Sequence, residues 1–435
     1  MKLALRVYGL LWRLALPFAL LRLWWRGRAE PLYRRYWAER LGWFSDKSAS
    51  ATTAGPLIWV HAVSLGETRA AAPLIEALRE RMPQMRLLLT HMTATGRAAG
   101  VDLLQPGDVQ VWLPYDLPGP MRRFLRRFQP CAAVLMETEV WPNLAEQCRA
   151  AGVPVLLANA RLSARSASRW QRWPSLARVA WGGLFAAAQT PEDARRIQAL
   201  GAAQATSLGN LKFDMRPDPS LMQLGEQWKA AAARPVLLLA STREQGGQSE
   251  EALLLATLPL ALAQRALLVW VPRHPQRFDA VAQLLSGQGH AVQRRSMGAP
   301  TAETTVWLGD SLGEMAAYYT MADAAFIGGS LLPLGGQNLI EACGCGCPVV
   351  LGPSQFNFAA AAQAAIDGGA AVQAADAAQV WAAFARWLDA PPLRQQASQS
   401  ARAFAAAHQG AAKRQADWIV ENVGKALSQR PDAGQ

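Results

Sequence analysis

The feature that most constrains the fold is a double series of short apolar runs that alternate with helical stretches. From residue 56 onward, aliphatic and β-branched runs are separated by stretches rich in Ala, Leu and Arg. Continuous apolar strands between helices are typical of parallel sheets that are covered by helices on both faces. The series restarts after a polar segment with two prolines, residues 215–220, which indicates a domain boundary. The sequence therefore predicts an α/β protein with two doubly wound domains.

Ligands of such sheets bind beyond the carboxyl ends of the strands, so the loops after the strands are the expected place for chemistry. The first series predicts strands at Pro56–Val63, Arg86–Met92, Val109–Leu113, Ala132–Met136, Val153–Ala158 and Leu184–Ala188. The second predicts Val236–Ala240, Ala266–Val271, Ala291–Arg294, Val306–Leu308, Ala324–Ile327 and Val349–Leu351. Predicted helices include Thr68–Arg81, Ala145–Ala151 and a last stretch, Ser398–Leu427.

The charge of the chain is concentrated at its amino end. The 435 residues carry a formal net charge of +12 and are 51% hydrophobic, which excludes a disordered chain. Residues 1–45 contain nine Lys or Arg against two Glu, and the remainder is only mildly basic. A uniformly cationic nucleic-acid binder is therefore not expected. The sequence predicts a globular protein with a basic, apolar front end.

That front end has the pattern of a membrane-associated helix. Its longest uncharged stretch, Leu14–Leu21, is shorter than the roughly 20 apolar residues of a clean spanning helix. Trp24 and Trp25 precede Arg26 and Arg28, an aromatic belt with a cationic flank. We expect an interfacial helix or a tilted anchor on an anionic membrane surface. The alternative is an amphipathic helix packed on the protein's own core.

The cysteines do not indicate a metal centre or a disulfide framework. There are five, and three of them form the run Cys343-Gly-Cys345-Gly-Cys347. Structural zinc sites need paired Cys or His ligands, and no partner cluster follows this run. An odd, sparse set of cysteines favours a reducing compartment. We expect the three to be small residues at a closely packed helix end, with no bound metal.

Acidic and basic side chains follow several strands of the first series. Glu67 comes after the first strand, where it is either a simple first-turn stabiliser of a helix or a general base. Glu137 and Glu139 follow another strand, and a metal-binding pair is one interpretation, although no Asp-x-Asp occurs in the chain. Lys212 lies just before the domain boundary, where it either reaches an anion or is an ordinary surface lysine.

The second series has loops suited to a phosphate group. Arg273 stands in Pro-Arg-His-Pro, where the prolines restrict it, and a guanidinium matches phosphate geometry. The pairs Gly328-Gly329 and Gly335-Gly336 precede Asn338 and Glu341. Paired glycines let backbone amides approach a phosphate, and a carboxylate can accept hydrogen bonds from sugar hydroxyls. Together these loops predict a nucleotide or sugar-phosphate site.

The order of these motifs resembles that of the 3-deoxy-D-manno-octulosonic acid (Kdo) transferase family of lipopolysaccharide synthesis. The motifs are His-x-Val-Ser-x-Gly-Glu-Thr, Met-Glu-Thr-Glu-x-Trp-Pro-Asn, Asn-Ala-Arg-Leu-Ser-x-Arg-Ser, Leu-Lys-Phe-Asp, Pro-Arg-His-Pro-x-Arg-Phe and Gly-Gly-x-Asn-x-x-Glu-Ala. The resemblance implies a GT-B glycosyltransferase fold with two domains facing a cleft. It also implies CMP-Kdo as donor, a lipid A precursor (lipid IVA) as acceptor, and no cofactor. The enzyme would work on the cytoplasmic side of the inner membrane. The Cys-Gly-Cys-Gly-Cys run departs from the family pattern.

The resemblance also implies roles for individual residues. Glu67 would be the general base, and Glu137 and Lys212 would stabilise the transition state. The nucleotide would be held by Pro272, Arg273, Leu312, Gly313, Glu314, Asn338, Leu339, Ile340 and Glu341. On the acceptor side we expect contacts from Ser64, Gly66, Thr93 and Arg161.

The resemblance and the linker together give a domain plan. Residues 1–45 would be the membrane anchor, 46–214 the acceptor domain, 215–405 the donor domain, and 406–435 a helix that packs back towards the first domain. Three alternatives remain open: a GT-B transferase that uses a UDP-sugar on another membrane lipid, a sugar-nucleotide epimerase, and a membrane-tethered binder without activity.

Overall fold

The chain divides into two compact units. We describe residues 2–45 and 55–428 of a computed structural model. The first unit comprises Met1–Met215 together with Gly410–Gln435, and the second comprises Arg216–Gln409. Each unit is built around its own parallel sheet.

The first unit contains a seven-stranded parallel sheet in the order β3-β2-β1-β4-β5-β6-β7. Its strands are β1 Leu57–His61, β2 Arg86–His91, β3 Val109–Trp112, β4 Ala132–Met136, β5 Val155–Ala160, β6 Phe185–Ala188 and β7 Gln204–Ser207. The first six correspond to predicted strands, although β5 extends two residues further than expected. The sequence did not predict β7, because this edge strand is polar and partly exposed along its length.

Helices cover both faces of this sheet. They are α1 Lys2–Arg26, α2 Leu65–Arg81, α3 Ala94–Gly100, α4 Pro118–Phe128, α5 Pro142–Ala150, α6 Ala164–Gln171, α7 Pro174–Trp181 and α8 Pro191–Ala199. Two of them begin earlier than predicted: α2 at Leu65 rather than Thr68, and α5 at Pro142 rather than Ala145. The reason in α2 is the Ser64 cap, whose Oγ accepts a hydrogen bond from the Glu67 backbone N–H.

The second unit repeats the plan. Its seven-stranded parallel sheet has the order β12-β13-β11-β8-β14-β15-β16. The strands are β8 Val236–Thr242, β11 Leu267–Pro272, β12 Val292–Arg294, β13 Val306–Leu308, β14 Ala324–Ile327, β15 Val349–Leu351 and β16 Ala371–Gln373, and a small antiparallel pair comprises β9 Glu244–Gln245 and β10 Gln248–Ser249. The predicted strands are all present, whereas the short edge strand β16 and the small pair were missed.

The helices of this unit again lie in the connections between strands. They are α9 Pro219–Ala232, α10 Glu250–Ala256, α11 Leu260–Arg265, α12 Phe278–Gly287, α13 Met315–Met321, α14 Ile340–Gly344, α15 Ala359–Asp367, α16 Ala377–Asp389 and α17 Pro391–Ala407. Short 3-10 turns in the two units are Pro31–Arg34, Trp37–Leu41, Val101–Leu103, Leu211–Asp214, Pro275–Arg277 and Arg295–Met297.

The chain returns to the first unit with its last helix, α18, Ala411–Ser428. The prediction of one continuous helix from Ser398 to Leu427 was wrong, because α17 and α18 are separate. Gly410, at φ +90°, lies in the break between them, and no side chain adopts that conformation easily. Ala416, Ile419 and Val423 of α18 join the core on the α2 face of the sheet.

Helix α1 has two unlike faces. On one, Leu23, with the partly buried Trp12 and Leu16, packs against a cluster that includes Tyr33 and Tyr115. The other face is exposed and apolar; it presents Leu10, Leu14, Phe18, Leu21 and Trp25. The segment Leu3–Arg26 contains an 18-residue window with a mean hydropathy of 1.4 and is long and apolar enough to cross a membrane by length and composition. One side of the helix therefore packs on the core, as the alternative interpretation expects, while membrane association of the other side stays a prediction.

The basic front end is not entirely surface. Arg40 is only 1% exposed and lies over the Trp112 ring at 4.1 Å. Its neighbour Glu39 forms a buried ion pair with Arg97, 2.8 Å between Oε2 and Nη1, and also accepts the Trp112 backbone N–H. One of the nine cations counted from the sequence thus fixes the 3-10 turn at residues 37–41 to the sheet instead of facing solvent.

Candidate functional site

Glu67 lies in the first turn of α2, directly beyond the carboxyl end of β1. The backbone N–H of Val63 donates to Oε2 at 2.8 Å, and the Ser64 hydroxyl donates to Oε1 at 3.1 Å. Burial, with smaller contributions from Glu139 and Glu137, raises the pKa of this carboxyl to about 8. An ordinary exposed glutamate would be fully ionised near neutral pH, whereas burial favours the protonated form of Glu67.

The loop after β4 brings two more carboxylates to the same edge. Glu137 has φ +55°, a left-handed conformation that is uncommon for a residue with a side chain. Its Oε1 lies 3.1 Å from Nζ of Lys212 in a half-buried ion pair. Glu139 instead accepts a hydrogen bond from Nε1 of Trp141 at 2.8 Å, and burial raises its pKa. Glu67, Glu137 and Lys212 are thus brought to one edge of the first sheet.

The acceptor-side residues named from the sequence occupy the neighbouring loops. Ser64 caps α2, and Gly66 is exposed one residue before Glu67. Thr93 caps α3 and also donates its hydroxyl to the Val63 carbonyl at 3.0 Å, so it ties the β1 and β2 loops together. Arg161 follows β5 directly and is half-buried. Ser64 therefore contacts Glu67 itself, whereas Thr93 acts on the backbone beside it.

The glycine loops of the second unit are joined to each other. Gly336 donates its N–H to the Gly329 carbonyl at 2.8 Å, and Gln337 donates to Gly328 at 3.0 Å. Gly329 and Gly336 have positive φ, and a Cβ on Gly328 would lie 2.3 Å from the Ser241 carbonyl oxygen. These positions require glycine, and their backbone amides line the carboxyl ends of β8 and β14.

Glu250 is a buried organiser that sequence reasoning missed. Its carboxylate accepts backbone N–H groups from Arg243 at 2.9 Å, Gly329 at 2.6 Å and Leu331 at 2.9 Å. The side chain is fully buried, and burial raises its pKa although these hydrogen bonds oppose the shift. In the sequence it is only an acid at the start of a helix, because its partners lie up to 81 residues away.

Cationic side chains flank these glycine loops. Arg273 is exposed after β11, and its Nε donates to Oε1 of Gln337 at 3.3 Å. Burial and then the positive charges of Arg273, Arg243 and Arg277 lower the pKa of His274. Arg277 forms a bidentate ion pair with Glu251, at 2.8 and 3.0 Å. Pro272, which precedes Arg273, is the buried last residue of β11. Positive charge is therefore concentrated where a phosphate was expected.

The remaining predicted nucleotide contacts lie in two further turns. Glu314 is engaged by both Nε and Nη2 of Arg295, at 3.1 and 2.9 Å. Gly313, at φ +87°, and the exposed Leu312 form the preceding turn.

The second of these turns begins α14. Asn338 caps the Ile340 N–H at 3.1 Å. The Leu339 and Ile340 side chains are buried, so these two residues could reach a ligand only through their backbone. Glu341 is half-buried in the first turn of α14.

The cysteine run is buried. Cys343, Cys345 and Cys347 lie at the end of α14, and burial raises the pKa of Cys343 and Cys345 to about 12. Among residues 2–45 and 55–428, no three His, Cys, Asp or Glu side chains are grouped so that they could hold a metal ion.

Two Rossmann-like units, each with a parallel seven-stranded sheet, are the architecture of the GT-B fold. A glycosyltransferase from Rickettsia africae is 11% identical and covers 87% of this chain and 100% of that one, with a TM-score of 0.59. A putative UDP-N-acetylglucosamine 2-epimerase from Listeria monocytogenes is 13% identical and covers 88% and 99%, with a TM-score of 0.57. Because a transferase and a putative epimerase match equally well, these likenesses establish the fold alone.

Sequence similarity identifies the family more specifically than the likeness in fold does. A sequence model of the family described as 3-deoxy-D-manno-octulosonic-acid transferase (kdotransferase) matches residues 35–215. The 3-deoxy-D-manno-octulosonic acid transferase of Bordetella pertussis is 46% identical and covers 96% of this chain and 99% of its own. The chain belongs to the Kdo transferase family. It is therefore a glycosyltransferase, and the family prediction made from the motifs is confirmed.

Proposed function

We propose that this enzyme transfers Kdo from CMP-Kdo to a lipid A precursor at the cytoplasmic face of the inner membrane. Glu67 would act as general base in a direct displacement that uses no metal. The observation that carries the proposal is the Glu67 carboxylate, which two hydrogen bonds hold in place and whose pKa burial raises to about 8. A base with a pKa near the working pH is well suited to accept a proton from a hydroxyl.

The reaction would proceed in one displacement. The acceptor oxygen forms a bond to the anomeric carbon of Kdo as the bond from that carbon to the CMP phosphate oxygen breaks. The acceptor's proton goes to Glu67, and the bonding electron pair leaves with CMP. Negative charge thus grows on the phosphate, where fixed donors and cations give the most stabilisation.

The second unit offers groups suited to that leaving phosphate. Arg273 hydrogen-bonds to Gln337, which follows the Gly335–Gly336 loop, and the Arg243 side chain lies beside Gly329, so two cations lie next to the glycine loops. Lys212 of the first unit is held by its ion pair with Glu137, and the resemblance to the family implies that both residues stabilise the transition state. CMP carries a single phosphate, so no divalent ion is needed to clamp a diphosphate.

The acceptor assignment is supported by the surface of α1. Its exposed apolar face could enter a lipid layer, while Arg28 and Arg34 lie over Trp24 at 4.9 and 5.1 Å from the ring centroid. Arginines that follow such a helix favour the cytoplasmic side, by the positive-inside rule. An anionic leaflet would attract these cations, and a phosphorylated lipid acceptor is found in that setting.

The direct test is incubation with CMP-Kdo and a tetra-acylated lipid A precursor, with products weighed by mass spectrometry. We expect a mass increase of one or more Kdo units, and an unchanged acceptor would contradict the proposal. CMP should also protect the protein from thermal unfolding more than UDP does. Equal or greater protection by UDP would instead favour a transferase that uses a UDP-sugar.

A further inference from the structure

The turn that carries Lys212 is held by residues that have no assigned role. The backbone N–H of Leu211 donates to Oδ1 of Asn159 at 3.0 Å, and that of Lys212 donates to Oδ1 of Asn210 at 3.0 Å. Asn159 is the second-last residue of β5. Its backbone is in the left-handed conformation, at φ +53°, and the residue is fully buried. The position of the lysine backbone therefore depends on the conformation of Asn159.

Gln415 of α18 fixes that conformation. Its Oε1 accepts the Asn159 backbone N–H at 2.8 Å, and its Nε2 donates to the Gly209 carbonyl at 2.8 Å. The side chain is fully buried. One amide thus joins the end of β5 to the segment that leads into the Lys212 turn, over a sequence separation of 256 residues from Asn159.

The same strand end also determines where Glu137 lies. The Glu137 backbone N–H donates to the carbonyl of Ala158, one residue before Asn159. Both partners of the Lys212–Glu137 ion pair are therefore attached to positions 158–159 of β5. A change at Gln415 would reach both partners, although Gln415 contacts neither side chain through a hydrogen bond that the structure gives.

The far end of the turn is attached to α18 as well. The Asp214 carboxylate accepts the backbone N–H groups of Gly410 at 2.5 Å and Ala412 at 2.7 Å, so it caps this helix. Nε of Arg414 donates to the Leu208 carbonyl at 3.1 Å. The first turn of α18 is thus hydrogen-bonded to Leu208 and Asp214, the residues that flank segment 209–213.

We infer that Gln415 is a positioning residue for the transferase reaction: through Asn159 and Gly209 it sets the geometry of the Lys212–Glu137 ion pair. The inference rests on the proposed role of that pair in the transition state. Removing the amide would leave the buried N–H of Asn159 and the partly buried C=O of Gly209 without these partners, and the backbone would shift to recover them. A displacement of about 1 Å at a reacting group is enough to reduce the rate severely.

The test compares two buried amides of the same helix in the full-length enzyme. Gln415→Met keeps the side-chain volume and removes both hydrogen bonds. The control is Asn422→Leu, because the Asn422 side-chain amide donates to the Trp418 carbonyl of its own helix and not to the Lys212 turn. We expect Gln415→Met to lower kcat about tenfold or more with the KM for CMP-Kdo nearly unchanged, since only a transition-state contact is disturbed. Asn422→Leu should leave kcat close to that of the wild type.

A double substitution identifies the route. If Gln415 acts through Lys212, then Gln415→Met should add no further loss to Lys212→Ala, because effects of residues that act as a unit are not additive. Full additivity would overturn the inference. A Gln415→Met enzyme with wild-type kcat, or one no worse than Asn422→Leu, would overturn it too.

The activity of Lys212→Ala distinguishes failure of the proposed role of the ion pair from failure of the positioning role of Gln415. If Lys212→Ala itself retains full activity, the proposed role of the ion pair fails and the inference fails with it. If Lys212→Ala is inactive and Gln415→Met is not impaired, only the inference fails. Should Gln415→Met not fold, Gln415→Glu retains an acceptor for the Asn159 N–H. Its kcat should then be intermediate, and a wild-type value would contradict the positioning role.

Discussion

The carboxyl edges of the two sheets, which are both parallel and seven-stranded, carry opposite chemistry. The first edge carries partly buried acids whose negative charges repel one another. The pKa of Glu67 is raised, and the backbone of Glu137 is in a strained, left-handed conformation. The second carries glycine loops, held by the buried Glu250, with arginines beside them. The difference shows that the strands set only the place, while the loops decide which charged and polar groups an edge presents.

The contrast between the two edges depends most strongly on Glu67 acting as a base. We expect Glu67→Gln to lower the transfer rate by about a thousandfold, within the usual range for a lost general base, while CMP binding is retained. Glu80→Gln is the matched control, because Glu80 is an exposed glutamate of the same helix whose ion-pair partner, at 3.6 Å, is Arg81. Transfer rates and CMP affinity would be measured side by side. Substantial transfer by Glu67→Gln would remove the proton-handling role from the first edge.

The pH profile tests the same edge without a substitution. Because the pKa of Glu67 is raised to about 8, the base is protonated below that pH. The value of kcat/KM for the free enzyme should therefore fall by about tenfold per pH unit below pH 8, or by about a hundredfold at pH 6. A flat profile from pH 6 to 8 would show that no group with this pKa is needed as a base.

The thermal stability of Glu67→Gln, relative to the wild type, should rise with pH. The folded pKa of about 8 exceeds the ordinary value of 4.5, so the folded state binds this proton more tightly than the unfolded state does. The stabilisation by the protonated carboxyl is complete below about pH 4.5 and is lost as the pH rises through 8. We expect Glu67→Gln to unfold at a higher temperature than the wild type at pH 9, and to show no such gain at pH 4.5. Calorimetry at the two pH values measures this.

At the second edge, substitution of Glu250 should lower both the stability of the protein and its affinity for CMP. In Glu250→Gln, an amide group replaces one acceptor oxygen and faces backbone N–H donors, so at least one buried donor loses its partner. A lost partner for a buried group costs about 1–3 kcal/mol, and we expect a stability loss of this size together with weaker CMP binding. Glu251→Gln is an informative comparison, because Glu251 bonds to Thr242 and Arg277 and not to the glycine loops. Glu250→Gln should weaken CMP binding more than Glu251→Gln does.

Sequence reasoning found the central parts of both sheets because these strands are continuous apolar runs. It missed Gln204–Ser207 and Ala371–Gln373, which are short edge strands with exposed positions. It named Glu67 and Glu137 because each follows an apolar strand, whereas a catalytic role for Lys212 came only from the resemblance to the Kdo transferase family. It could not find Glu250 or Gln415, since their partners lie 7 to 256 residues away and no local pattern marks such contacts.

The smallest expected effect concerns the exposed cation of the second edge. Arg273 is held only by a 3.3 Å hydrogen bond to Gln337 among the side-chain hydrogen bonds that the structure gives it, so Arg273→Ala should leave the unfolding temperature unchanged. A charge-assisted hydrogen bond to phosphate contributes about 1.5–3 kcal/mol, so the affinity for CMP should fall by about tenfold or somewhat more. Arg265→Ala is the control, because Arg265 is an exposed arginine of the same unit that pairs with Asp389. If both variants bind CMP equally well by calorimetric titration, Arg273 does not contact the phosphate. The anion binding of the second edge would then have to come from other groups there, with Arg243 beside Gly329 as the next candidate to substitute.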